Sequence, residues 1–191
     1  MAVLEILHVG HPTLRRRARE LTAEELASTE IQRLVDDMIE TMHAANGAGI
    51  AAPQVGRSLA ICVVEIRENP RYPYLPSIPL TVLVNPTIIA KTSETFSNYE
   101  GCLSVPNLRG RVTRSAEISL SYLDRTGATI EREVRGLSAG VYQHECDHLA
   151  GTLFLDRVSD PQSLTTWPEF ERHHKAAFLD ELVPLLERWG S

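Results

Sequence analysis

The sequence predicts an α+β fold: mixed or antiparallel β-sheets packed around a central helix that carries a His-Glu-x-x-His pattern, with further helices toward the N- and C-termini. Three observations predict it. Strand-like runs cluster in the middle of the chain, helical periodicities lie early and late, and no regular strand–helix alternation links them, which disfavours a doubly wound sheet. The 191 residues are 43% apolar and 23% charged, ordinary values for one globular domain spanning 1–191. Aromatics make up only 6%, so the core must rest on Leu, Ile, Val and Ala.

The first element is a helix over residues 29–45. Ile31, Leu34, Val35, Met38, Ile39 and Met42 recur at the three-and-four spacing that puts them on one face. Asn46-Gly47 supplies a left-handed stop. Upstream, Arg15-Arg16-Arg17 reads as a solvated turn or helix face. Apolar runs at 59–66 and 80–85 predict strands, the second ended by Pro86, and Asn69-Pro70 with prolines 73, 76 and 79 mark an irregular loop between them. Ile118, Leu120 and Tyr122 alternate with serines, Asp124-Arg125-Thr126-Gly127 turns the chain, and 130–134 alternates again, which predicts a hairpin. A helix over 137–150 is stopped by Gly151. An amphipathic helix over 168–189 follows, its stripe formed by Phe170, His174, Phe178, Leu182, Leu185 and Trp189.

Charge and composition exclude several classes. A net charge of −6 argues against binding a phosphate backbone, so no nucleic-acid partner is expected. Cys62, Cys102 and Cys146 are odd in number and scattered, unlike a disulfide framework. The N-terminal residues lack the basic segment and apolar run of a secretory signal, and no stretch approaches a membrane span. A cytoplasmic location follows as the expectation, with an organellar one after loss of a transit peptide left open.

The chemistry begins at His144-Glu145-Cys146-Asp147-His148, inside the predicted helix. Histidines four apart share a helix face, so both imidazoles can reach one ion, and Glu145 beside the first is a candidate general base. Hydrolytic sites typically hold three protein ligands and leave a position for water. Downstream acids and His173-His174 fall in no recognisable ligand spacing, which directs attention to the upstream cysteines. Cys102 lies in Glu100-Gly101-Cys102-Leu103-Ser104-Val105-Pro106, an extended or turning segment suited to presenting a thiolate. Cys62, in an apolar run, and Cys146, off the histidine face, read as packing residues. The Gly- and Ala-rich stretch 47–56 lets another backbone approach closely, and its Gln54 offers amide donors to a developing oxyanion.

Together these segments resemble the peptide deformylase family. Its motifs stand here as Gly47-Ala48-Gly49-Ile50-Ala51-Ala52-Pro53-Gln54, Glu100-Gly101-Cys102-Leu103-Ser104 and Gln143-His144-Glu145-Cys146-Asp147-His148, in the family's order, with likeness over nearly the whole chain. The resemblance implies hydrolysis of the N-formyl group from the formyl-methionine of nascent polypeptides, releasing formate. It implies one divalent ion on Cys102, His144 and His148, most often Fe2+ with Zn2+, Ni2+ or Co2+ as alternatives, and a water in the fourth place. Glu145 would be the general base, with Gln54 and the Leu103 N–H as oxyanion donors. The substrate would pair near Ala48, Gly49 and Ile50 and near Tyr99, Glu100 and Gly101, with Val141 lining the methionine pocket and Glu100 and Arg109 organising the site. Contact with the ribosome would be transient. The C-terminal helix, with Arg172, Lys175 and Arg188 against Glu169, Glu171, Asp180, Glu181 and Glu187, is not the basic tail by which some members dock. Two rivals are a zinc endopeptidase sharing only His-Glu-x-x-His, which leaves Gln54 and Cys102 unexplained, and a silent metal-binding protein, which commonly lacks the base that Glu145 supplies.

Overall fold

The computed structural model describes residues 2–67, 74–90 and 92–189. It is an α+β structure whose sheets are antiparallel. Two helices open the chain, α1 (Ala23–Ala27) and α2 (Thr29–Ala44). Thr22 and Glu25 cap α1 reciprocally, and the Ser28 side chain accepts the Ile31 N–H to start α2. Asn46, at φ +51°, ends it with the left-handed residue expected there.

Strands β1 (Gly49–Ala51), β2 (Ile61–Ile66), β3 (Ile78–Ala90), β4 (Thr95–Cys102), β5 (Val105–Ser115), β6 (Glu117–Leu123) and β7 (Thr129–Arg135) follow, with β8 (Thr165–Thr166) far downstream. Five pair in the order β1-β2-β3-β6-β7, and three in the order β4-β5-β8. β2 reads as one apolar run because both its faces are buried: Ile61 and Val63 pack with Val35, Met38 and Met42 of α2, while Cys62 and Val64 turn to the opposite face. That opposite face is covered by α3 (Gly136–Leu149), through Ala139, Tyr142 and Leu149. Gly140 of α3 abuts Phe96 of β4, so the same helix also meets the smaller sheet. Gly151 then turns the chain at φ +74°, where a Cβ would lie 2.8 Å from the Arg15 backbone.

Three expectations need correction. Pro86 does not end its strand: β3 runs on to Ala90, and Pro79 lies within it. A register shift between Val84 and Thr87 absorbs the proline, with Asn85 at φ +50° and its amide bonded to both the N–H and the carbonyl of Leu21. Asn69, Pro70 and Pro73 lie outside the described residues. The C-terminal helix is not uniform. It comprises α4 (Trp167–Glu169), a π-helical turn (Phe170–His174) and α5 (Lys175–Trp189). The wider turn shifts the stripe, so Phe170, Phe178 and Leu182 are buried against Tyr99 and Leu137 while His174 is exposed. Among the described residues no helix is long and apolar enough to cross a membrane.

Candidate metal centre

Three elements converge on one point. α3 carries His144, Glu145 and His148, the end of β4 carries Cys102, and a 3-10 turn at Ala52–Val55 carries Gln54. Ligand atoms of Cys102, His144 and His148 all lie within 4.8 Å of one another, the one such group among the described residues. The Cys102 Sγ lies 3.3 Å from His148 Nε2, and it accepts the Ser104 N–H at 3.4 Å and Gln54 Nε2 at 3.5 Å. His144 Nδ1 is bonded to Glu100 Oε2 at 2.8 Å, which leaves Nε2 as its ligand atom. A thiolate and two imidazoles suit a borderline divalent ion and leave a further position open. Two buried atoms in this site have no hydrogen-bond partner, His148 Nδ1 and Glu145 Oε2. A buried carboxylate oxygen without a donor is costly unless a ligand or water supplies one, so the site fits an ion with its water.

Electrostatics separate the groups. Burial pushes the Glu145 carboxyl up to about 7 against the pull of His144, and a bound cation would draw it back down. Burial opposes charge on His144, yet Cys102 and Glu100 outweigh it and raise its basicity. Burial and the neighbouring His144 keep His148 neutral, the form that binds metal. Burial also works against the Glu100 carboxylate, but Arg114 and His144 hold it at about 2. Arg114, 2% exposed, reaches both Glu100 oxygens at 2.7 and 2.8 Å and Asp147 at 2.6 Å, and Arg157 closes the chain on Asp147 at 2.5 Å. Neither Arg114 nor Asp147 was singled out by the sequence. The available signal was a charge at the inward parity of β5, shared with Gly110 and Val112.

Gln54 is fixed at both ends: its Oε1 accepts the Ala51 N–H at 2.8 Å and its Nε2 donates to Ser104 Oγ at 3.1 Å. Gly49 makes room for the Glu145 carboxyl, since a Cβ there would lie 2.3 Å from Glu145 Oε1. A cleft of about 720 Å³ opens beside the triad and is lined by Ala48, Gly49, Gln54, Tyr99, Glu100, Gly101, Arg109 and Val141. Ile50 is the exception among the predicted contacts: its side chain is fully buried beside α2, so only its backbone can face the cleft. Glu100 is turned inward, onto Arg114 and His144. Cys62 is buried and, with Cys146 beside it and water excluded, its thiol is pushed well up. Neither of these two cysteines joins the triad.

A family model described as polypeptide deformylase matches residues 3–163. The chain is 41% identical over 169 residues to "Peptide deformylase 2" of a Nostoc species, covering 88% of this chain and 93% of that one. It is 46% identical over 155 residues to "Peptide deformylase 1" of Bordetella pertussis, 81% and 87% of the two chains. The Met-Ala-Ser-bound class I type b peptide deformylase of Acinetobacter baumannii aligns with a TM-score of 0.79 at 42% identity, over 82% of this chain and 99% of that one.

Proposed function

The chain belongs to the polypeptide deformylase family, and from that premise we propose that Cys102, His144 and His148 hold its ion and that Glu145 is its general base. The protein is a hydrolase of protein biosynthesis that removes the formyl group from nascent peptides, in a family that depends on a metal. The observation that carries the site reading is the convergence of three ligand atoms within 4.8 Å beside a buried, unpartnered carboxylate oxygen.

When bound, the ion supplies Lewis acidity, polarising the formyl carbonyl and making water a nucleophile near neutral pH. Glu145 takes the proton of the attacking water and hands it to the departing amine. The Gln54 Nε2–H and the Leu103 N–H meet the charge growing on the formyl oxygen, and the long Gln54 contact to Cys102 is the one that gives way. β1 and β4 are the edge strands of their sheets and border the cleft, so an extended substrate lies between Ala48–Gly49–Ile50 and Tyr99–Glu100–Gly101. Val141 and Leu75 line the pocket for the methionine side chain, and Arg109 faces the chain beyond it. The S,N,N donor set suits ferrous iron, with zinc, nickel or cobalt able to replace it. The same proposal takes the chain as one domain working in the cytoplasm and touching the ribosome transiently. The C-terminal cations Arg172, Lys175 and Arg188 are paired with Glu169, Glu171 and Glu94, so that contact does not run through a basic tail.

Anaerobically purified protein is expected to carry a single ion, to release formate from formyl-Met-Ala-Ser and to leave an internally cleavable peptide intact. Cys102→Ala should lose the ion. Tight binding of a full equivalent by that variant would remove Cys102 from the ligand set. Gly49→Ala should keep its ion and lose about 10²-fold in kcat, the size of effect that a misplacement of 1 Å produces. Metal content and formate release measured on one sample test this, and wild-type turnover would show that Gly49 does not set the position of Glu145.

A further inference from the structure

Of the two oxyanion donors, Leu103 offers a backbone N–H and Gln54 a side chain, so the Gln54 amide is the one that has to be aimed. A backbone N–H can only donate, so the atom facing the Ala51 N–H at 2.8 Å is Oε1, and Nε2 faces away from it. One Nε2 hydrogen goes to Ser104 Oγ at 3.1 Å. The amide is planar, so its second hydrogen is left pointing at the ligand cluster, along the long 3.5 Å contact to Cys102 Sγ.

Ser104 is itself held from several directions. It is 0% exposed, and with Leu103 it makes the two-residue turn between Cys102 of β4 and Val105 of β5. Its N–H donates to Cys102 Sγ at 3.4 Å, and its carbonyl accepts the Val9 N–H at 2.7 Å. Two residues before Val9, the Leu7 N–H donates to the Gln54 carbonyl at 2.8 Å. The N-terminal segment thus ties together two residues 50 apart in sequence at the point where their side chains meet.

We propose that Ser104 is a positioning residue that aims the Gln54 amide at the formyl oxygen, and that the N-terminal segment holds Ser104 in place through the Val9 N–H. The inference rests on the reading of Gln54 as an oxyanion donor and extends it to residues that do not touch the substrate. Without the Ser104 hydroxyl, the amide keeps its bond to Ala51 and can swing about it.

The test measures kcat and KM for formyl-Met-Ala-Ser, and the ion content of each preparation, in the wild type, Ser104→Ala, Val9→Pro, Gln54→Ala and the double variant Gln54→Ala with Ser104→Ala. Gln54→Ala should lower kcat by about 10²–10³-fold, the cost of losing a donor outright. Ser104→Ala should lower kcat about tenfold, the upper size of one neutral hydrogen bond, with KM and ion content unchanged because the aimed contact forms only in the transition state. Added to Gln54→Ala, it should cost less than about twofold, whereas a merely structural serine would cost the same in both backgrounds. Val9→Pro removes one N–H and keeps the local turn: the His11 N–H returns to the His8 carbonyl at 3.0 Å and Gly10 has φ +104°, which puts Val9 where such a turn favours proline. It should lower kcat about threefold. Full turnover in Ser104→Ala, or an equal loss in the two backgrounds, overturns the inference while the deformylase reading stands. Full turnover in Val9→Pro overturns the part given to the N-terminal segment. Full turnover in Gln54→Ala would remove Gln54 as a donor, and this inference with it.

Discussion

Replacing Glu145 by Gln should lower kcat for formate release by about 10²–10⁴-fold, the range attributed to a positioned general base, while ion content stays at the wild-type level. The substitution keeps volume and shape in a position only 5% exposed and walled by Gly49, so packing is preserved. Glu145 is not among the three groups whose ligand atoms cluster, so the ion should remain. What the amide loses is the capacity to accept and return a proton. Steady-state formate release with metal analysis of the same preparation checks this. Unaltered turnover would dismiss the general-base assignment, and loss of the ion would place Glu145 in the ligand shell instead.

Arg114→Met should destabilise the fold by about 3–5 kcal/mol, the cost of removing one partner from a buried charge network. Arg114 holds both oxygens of Glu100 and one of Asp147, all three groups being nearly excluded from water. Without it, among the described residues, Glu100 keeps its bond to His144 and Asp147 keeps its bond to Arg157, while the nearby Glu145 carboxyl repels both acids. Against a total stability of roughly 5–15 kcal/mol, and at roughly 2–4 °C per kcal/mol for a chain of this size, Tm should fall by roughly 6–20 °C. Ion affinity should weaken as well, by about 10–100-fold, because Glu100 orients the His144 ring. Thermal unfolding by circular dichroism and a competitive chelator titration measure the two effects separately. A Tm within about 2 °C of wild type would mean that the network contributes little to stability.

Local patterns in the sequence reveal some elements and conceal others for identifiable reasons. α2 and the β6–β7 hairpin announce themselves by a regular periodicity, whereas α3, buried on several sides, is marked by its histidine motif and the Gly151 stop. β4 and β5 do not, because the inward positions of β5 include Gly110 and Arg114, which break an apolar alternation. Their acceptability depends on partners far along the chain: Glu100 and Asp147 for Arg114, and Leu164 and Val158 over Gly110. The extension of β3 past Pro86 was hidden similarly, since it depends on Asn85 reaching Leu21. The histidine pair was legible because four residues make one helical turn. Cys102 became a candidate through elimination and its motif, and the structure puts its sulfur beside both rings. Ser104, Asp147 and Trp167 carry no local signal, as each acquires meaning only from a neighbour in another element.

Translation order separates two parts of the site in time. The ribosome delivers Cys102, His144 and His148 before Trp167, which trails His148 by 19 residues, roughly 1–4 s at ordinary elongation rates. During that interval the three ligands exist while the outer wall, the strand β8 and the aromatic underlay of Phe170 and Phe178 do not. In chain order the three clustered side chains therefore precede the segment that completes the smaller sheet, and β5 gains its outer neighbour only once residues 165 and 166 have been made.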